Sequence, residues 1–467
     1  MRSVRGMELS DGAGALCVGL YASLFALYPG VSGKLLLAAP LVIVPLLWWT
    51  LQRPEAWLLA FAAATLVLPP LPFVIGNSGV HPSLALAAAG LLAGFLRVDE
   101  WRLQMEALPA RMLLFTALLL GSTGLALLYS GEWVALGSLL RVLLFCVPVY
   151  TFFYTAFGPG AASRDGTRMV PLLFWSGVAS AAFACVDFVF QFPPPAGYGA
   201  QFIWLSSGIY RRAQGVFYEA GMLGNVCAFF LTMIAVALFR PGAPKALRKP
   251  VLLAGGAVFA AALLLSFSRS SLLNLGVAMS ALAYPHRKQV RWRRLAFRAA
   301  ILGACTVLAA LAAFPVFAQL YWTRILNSFV YFIESPNAIL SGRLDSWRYL
   351  LHFLSEHPLY ALFGVGYKTL PYSAAAGKAV ITDNSYLSFL VETGAAGLAA
   401  MLALCFAILR FARRAAGSAD PSTAFFGTWI FCFWCGEMVQ MTSGDILTYW
   451  RVLPLYFWVL AMAVRPR

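Results

Sequence analysis

The chain has 467 residues, of which 61% are hydrophobic and only 11% charged, and its mean hydropathy is +0.78. That composition excludes a soluble globular protein and marks a polytopic helical membrane protein. A formal net charge of +16 would suit a nucleic-acid partner, but Lys and Arg fall in short clusters between apolar runs. That is the positive-inside pattern rather than a nucleic-acid footprint.

In chain order, Arg2 and Arg5 precede a first apolar run with no small-residue cleavage site before the second, so an uncleaved signal anchor is expected. Apolar runs long enough to cross hydrocarbon as helices fall near 13–28, 34–50, 55–74, 80–97, 109–129, 133–157 and 168–190. The second half adds 216–239, 250–268, 270–285, 296–314, 384–409, 422–440 and 447–464. The expectation is an all-α fold of about fourteen transmembrane helices. Poor separation of the first pair and of the 250–285 pair widens this to roughly twelve to fourteen. No period of 20 to 50 residues repeats, and a single membrane domain over 1–467 is predicted.

The connections set the orientation. Clusters at the N-terminus, Arg53, Arg97 to Arg111, Arg164 to Arg168, Arg240 to Lys249, His286 to Arg298, Arg410 to Arg414 and the tail Arg465 and Arg467 all fall on one side if fourteen spans are correct. By the positive-inside rule that side and both termini are cytoplasmic. The outward connections are 75–79, 130–132, 191–215, a junction near 269, 315–383 and 441–446. Only 191–215 and 315–383 are long, so activity outside the cytoplasm is expected to concentrate there.

Several cations violate the charge bias by lying on the outer side: Arg211 and Arg212, Arg269, and Arg343 with Arg348. Arg269 sits among serines where two spans meet with almost no loop, a setting that can offer a rigid fork of donors to a phosphate or diphosphate. Taken alone it could equally snorkel to lipid headgroups; several outer arginines from distant parts of the chain favour an anionic ligand. Acidic residues expected on the same side are Asp187, Glu219, Asp345, Asp383, Glu392, Glu437 and Asp445, most of them as partners for these arginines or for Arg141, which lies inside the span 133–157 and needs a partner or a polar cavity. Asp383 directly precedes Asn384 at a helix mouth, where an N-cap is called for; it is free for chemistry only if Asn384 or Thr382 caps.

Metal chemistry is not expected: the four His are dispersed, and His352 and His357 are five apart, off a shared helical face. His357 before Pro358 reads as a loop or helix-end residue. Cys432 and Cys435 lie in an apolar run and read as core. No phosphate-loop, dinucleotide, GxSxG or HExxH motif occurs.

Taken in order, Arg212-Ala-Gln-Gly-Val-Phe217 with Asn225, Ser268-Arg269-Ser270, Gly342-Arg343 with Trp347, His357-Pro358 with Gly364-Val-Gly366, and Asp383-Asn384-Ser-Tyr386-Leu387 with Glu392-Thr-Gly394 resemble the bacterial O-antigen ligase and O-antigen polymerase superfamily. The resemblance covers roughly residues 200–400, with a long outer loop in the matching place. It implies a metal-independent, cofactor-free glycosyltransferase of the bacterial inner membrane, with its site on the periplasmic face and a polyprenyl-diphosphate-linked glycan as donor. Such a glycosyltransferase would act in O-antigen, capsule or exopolysaccharide biosynthesis.

The resemblance further implies that Arg212 and Arg269 contact the donor diphosphate. Asp383 stands where ligases show His in a His-Asn pair, which makes it the candidate base and favours polymerase over ligase. Arg211, Arg343, Arg348, Asn384, Glu219 and Arg141 complete the candidate substrate-binding set. A lipid-linked glycan transporter is the competing class, although neither inverted repeats nor paired broken helices are evident.

Overall fold

The computed structural model describes residues 48, 53, 55–71, 74–75, 78–161, 166–193, 201–205, 208–217, 219–239, 247–284 and 343–464. The predicted spans 13–28 and 296–314, nearly all of 34–50, and the first part of the 315–383 loop lie outside them. The helices are α1 (Ala56–Val67), α2 (Ser83–Leu96), α3 (Ala107–Ser130), α4 (Glu132–Phe157), α5 (Gly166–Phe190), α6 (Ala220–Phe239), α7 (Lys249–Leu265), α8 (Arg269–Ala283), α9 (Arg343–Glu356), α10 (Pro358–Phe363), α11 (Ser385–Ala416), α12 (Pro421–Gln440) and α13 (Leu453–Met462). Two short antiparallel hairpins, β1–β2 (Val74–Ile75 with Ser78–Gly79) and β3–β4 (Phe202–Leu205 with Gly208–Arg211), interrupt the all-helical plan.

Five of these elements are long and apolar enough to cross a membrane: 107–130, 132–157, 169–190, 220–239 and 385–416. They follow the predicted spans closely, because runs of Leu, Ala and Phe favour helix and hydrocarbon leaves a backbone no other way to satisfy its hydrogen bonds. One continuous core joins Trp57 and Phe61 of α1, Phe229 of α6, Trp429 and Phe433 of α12 and Tyr456 of α13. The Phe229 ring lies 4.4 Å from that of Trp429 and 4.5 Å from that of Tyr456.

The expected outward connections do meet at one end of the bundle. Arg451, fully buried, donates to Val216 O (2.7 Å), Thr65 O (2.9 Å) and Leu68 O (3.3 Å), tying together the ends of the predicted spans 447–464, 216–239 and 55–74. Ser385 N donates to Met441 O (2.8 Å), and Ser130 Oγ donates to Ser373 Oγ (2.9 Å).

The second half of the 315–383 loop is more ordered than a loop. The pair α9–α10 has its own apolar cluster, in which Leu350, Phe353 and Leu354 pack with Val365, Leu370, Val380 and Val391. His357 stands at the N-cap position of α10, as expected of a helix-end residue. The Gly364-Val365-Gly366 turn then docks on a break in α11: Val365 N donates to Val391 O (3.0 Å) and Gly366 N to Glu392 O (2.8 Å). These carbonyls are available because Gly394, at φ 69° and ψ −174°, interrupts the helix. A Cβ on Gly394 would stand 2.1 Å from Leu362 O, and one on Gly364, at φ +81°, would stand 2.3 Å from Glu392 O.

Only glycine suits the Gly394 backbone, so Gly394→Ala combines strain with a backbone clash and is expected to destabilise by about 2 kcal/mol or more. Thermal unfolding of the purified variant measures this, and a midpoint equal to wild type would contradict the packing described.

Ahead of α2, buried His81 accepts from Ser83 N at Nδ1 (3.2 Å), while Nε2 faces Leu68 O at 2.9 Å. Burial, and secondarily the Arg451 charge, lower its pKa from 6.5 to about 4. Below pH 6.5 the unfolded chain therefore binds a proton that the folded chain refuses. Stability is expected to be complete above that pH and to fall by up to about 3 kcal/mol as pH drops towards 4. Thermal midpoints against pH for wild type and His81→Asn give the comparison, the variant losing that part of the acid slope.

Candidate functional site

One end of the bundle gathers charge from four places in the chain. Asn384 takes the N-cap of α11, its Oδ1 accepting from Leu387 N at 3.1 Å. Asp383, one residue earlier, is thereby released from capping. Its backbone is left-handed, φ +45°, a conformation that Asp tolerates better than most residues. Trp347 Nε1 of α9 holds the preceding carbonyl, Thr382 O, at 2.7 Å.

Arg343, the first residue of α9, places Nε and Nη2 each 3.0 Å from Asp383 Oδ2. The guanidinium fork thus engages one carboxylate oxygen. The Asp383 side chain remains 44% exposed, and that of Arg343 29%.

Arg269 is the first residue of α8. Ser268 caps the helix, its side chain accepting from Ser271 N, so the arginine projects at the positive end of the helix dipole. Its charge lies close enough to Arg343 for the two guanidinium groups to repel. Arg212 approaches from the segment after β4, Nε donating to Ser266 O at 2.8 Å, two residues before the α8 cap.

Glu219, just ahead of α6, feels both Asp383 and Arg212. It is accessible to solvent yet surrounded by protein, as for a group lining a concave wall. The protein packed around it pushes its carboxyl above the usual range, Asp383 adds to this and Arg212 opposes it. Arg212, Glu219, Arg269, Arg343 and Asp383 therefore form one electrostatic neighbourhood drawn from segments far apart in sequence.

The other sequence candidates sit elsewhere. Arg211 is buried and turned away from Arg212, with Nη2 2.5 Å from Asp187 Oδ1 on α5. Neighbouring residues of extended chain face opposite ways, so only one of the pair can enter the cluster. Arg348 is exposed on α9, about 140° around the helix from Arg343. Arg141, on α4, stacks its guanidinium 4.3 Å from the Tyr372 ring centroid, which supplies the partner its position demanded.

Two groups, Lys368 and Tyr449, escaped the sequence reading, and a third, Glu437, has a different partner from the one expected. Lys368, buried with φ +56°, pairs with Asp445 and lies 3.9 Å from Glu392 Oε2. Burial lowers its pKa, with Glu392 and Asp383 opposing and Arg141 assisting. Tyr449, also buried, lies within electrostatic range of Glu219, Glu437, Asp383 and Arg212. Glu437, expected to pair with an arginine, instead accepts from the amide of Asn225 at 2.5 Å. The available signal was a polar residue in the 315–383 connection (Lys368) or near the end of a predicted span (Tyr449, Glu437), which suggests a side of the membrane but names no partner.

In chemical terms the cluster offers three guanidinium groups for a dense anion beside a carboxylate with one oxygen unengaged by Arg343. No curated protein matches the chain. A family model described as O-antigen ligase, Wzy_C, matches residues 254–419, a stretch that runs from α7 through Arg269, Arg343 and Asp383 to the end of α11. Over that stretch the chain is similar to the O-antigen ligase family.

Proposed function

We propose that this protein is a membrane glycosyltransferase that polymerises a polyprenyl-diphosphate-linked oligosaccharide at the periplasmic face of the inner membrane, within a single membrane domain of residues 1–467. The observation that supports it most is the convergence of Arg212, Arg269 and Arg343 on the neighbourhood of Asp383 at one end of the bundle.

Outside the cytoplasm there is no pool of sugar nucleotides, so the donor must arrive activated, and a diphosphate on the anomeric carbon supplies the leaving group. The bond between that carbon and the diphosphate oxygen breaks, and the electron pair leaves with the diphosphate. Arginines already in place stabilise that growing charge more in the transition state than in the ground state. Arg212 and Arg269 take this role with Arg343 beside them. The acceptor hydroxyl forms the new bond to the anomeric carbon and passes its proton to Asp383, whose Oδ1 is not the oxygen held by Arg343. In-line attack inverts the anomeric centre, and no metal or cofactor enters. Asn384 and Glu219 line the acceptor side; Arg211, Arg348 and Arg141 act through the surrounding loops.

Ligation to a lipid A core sugar is the second reading, favoured by the description of the matching family model. One reconstitution separates the two. Purified protein in detergent receives lipid-linked repeats alone, or repeats with lipid A core. Lengthened chains in the first mixture support polymerisation, product only in the second supports ligation, and no transfer in either overturns both in favour of transport.

A further inference from the structure

Beneath Arg269, within the bundle, lies a buried polar network outside the charged cluster. Asn225 of α6, Asn274 of α8, Glu437 and Gln440 of α12 are each at most 1% exposed. Asn225 Nδ2 donates to Glu437 Oε1 (2.5 Å) and to Gln440 Oε1 (3.0 Å), which uses both its protons. Tyr456 of α13 donates to Asn225 Oδ1 (2.5 Å) and Asn274 Nδ2 donates to Gln440 Oε1 (2.8 Å). Gln440 Nε2 then donates to Ser271 Oγ (3.1 Å), which is 2.8 Å from the Oγ of Ser268, the cap on which Arg269 sits. Glycines make this crossing close: a Cβ at Gly436 would stand 2.1 Å from Asn274 Oδ1, and one at Gly224 would stand 2.7 Å from Ser271 Oγ.

Two buried atoms in the network lack a partner among the described residues, Glu437 Oε2 and Asn274 Oδ1. Both are acceptors as they stand, and the two side chains are within hydrogen-bonding reach of each other. Exchanging amide ends does not repair this. Turning Gln440 sets its nitrogen against the nitrogens of Asn225 and Asn274, and turning Asn274 alone sets its oxygen against Gln440 Oε1. One proton on Glu437 Oε2 satisfies both atoms.

The surroundings agree. The ion pairs among the described residues do not include Glu437. Titratable neighbours from the packed elements are Cys405 of α11, Tyr449 before α13 and Tyr456 of α13, none of them a cation. An unpaired carboxylate here would forfeit its hydration with no compensating charge.

We propose that Glu437 is a neutral carboxylic acid at neutral pH, donating its Oε2 proton to Asn274 Oδ1, and that the closed, uncharged network positions Ser268 and Arg269 for the donor diphosphate. The second half rests on the glycosyltransferase reading above; the first does not. Glu437 is thus a positioning residue, acting through Asn274, Gln440 and Ser271 rather than on substrate. A fixed α8 terminus matters because a misplacement of about 1 Å in a group that stabilises transition-state charge costs roughly a hundredfold in rate.

Infrared spectroscopy of the purified full chain in lipid nanodiscs tests the protonation directly. The expected result is a carboxylic-acid C=O stretch at neutral pH that shifts in deuterated buffer and disappears in Glu437→Gln. Wild-type protein carrying 13C-labelled glutamate gives a second measurement independent of that variant's folding, and the band should move with the label. Absence of a labelled band overturns the proposal; so does a band seen only when sodium is withdrawn, which would make the missing partner a bound cation.

In the transfer assay Glu437→Gln, which keeps a donor and an acceptor, should stay within roughly twofold of wild type, while Glu437→Ala should fall about tenfold or more. Equal losses in both overturn the positioning role. A chain that shows the band but no glycosyl transfer leaves the neutral acid standing and sinks the enzymatic reading instead.

Discussion

Arg269→Ala is expected to lower the glycosyl-transfer rate by about 10²–10³-fold, the loss typical when one preorganised donor to developing negative charge is removed. The residue is well placed to carry so large an effect. It occupies the first position of α8, where the helix dipole and the free backbone N–H groups already favour an anion, and the Ser268 cap holds that end in place. Arg343, near enough to repel it, concentrates positive charge that a diphosphate would relieve. Because charge grows on the leaving group as the bond breaks, the loss should appear mainly in kcat rather than KM.

Arg269→Lys should recover only part of the rate, since an ammonium is a point charge without the planar fork that matches phosphate oxygens. Arg269 is exposed, so the alanine variant should fold normally, and its melting midpoint serves as the control. Steady-state kinetics with a purified lipid-linked donor provide the readout. A kcat within twofold of wild type would remove Arg269 from the mechanism and return it to the role of a residue touching lipid headgroups.

Asp383→Asn is expected to cost about 10²–10⁴-fold, the range for loss of a positioned general base. Asn preserves shape and tolerates the left-handed backbone at φ +45°, so the fold should be retained. It cannot accept a proton from the acceptor hydroxyl. The loss should fall on kcat with the melting midpoint and donor KM near wild type, a split that loss of a purely structural partner of Arg343 would not give.

Asn384→Ala is the matched control. It removes the cap on Leu387 N and should destabilise by about 1 kcal/mol, with a smaller fall in activity through displacement of its neighbour. If Asp383→Asn retains wild-type rate while Asn384→Ala does not, Asp383 serves only to anchor Arg343.

Much of this architecture is legible before any coordinates. The run 109–129 becomes α3 at 107–130, 133–157 becomes α4 at 132–157, and the junction predicted near 269 separates α7 from α8. Where lengths differ, a local cause is visible. The run 55–74 shortens to α1 at 56–67 because Pro69 and Pro70 end it, and 447–464 shortens to α13 at 453–462 because the turn before it buries Arg451. The 315–383 loop hides α9, whose polar face and low apolar content give no membrane signal, yet whose Leu350, Phe353 and Leu354 supply a local core.

The site was legible as a side of the membrane and not as a set of contacts. Span parity put Arg212, Arg269, Arg343 and Asp383 at one end, and they do lie together there. The same parity drew in Arg211 and Arg348, which strand alternation and helix rotation turn elsewhere. It also missed Lys368, whose partner Asp445 is 77 residues away, and gave no hint that Asn225 and Glu437, 212 residues apart, are partners.

Sequence alone decides that this chain is a helical membrane protein, where its described helices run and which connections share an end. Lipid penalises every exposed polar group, and apolar length and charge bias register that penalty locally along the chain. Only the packed structure decides that Asn384 caps and Asp383 does not, that Arg212 rather than Arg211 enters the cluster, and that Glu437 meets amides rather than an arginine. Those outcomes depend on the rotation of each element and on contacts hundreds of residues apart, and neither periodicity nor spacing carries that information.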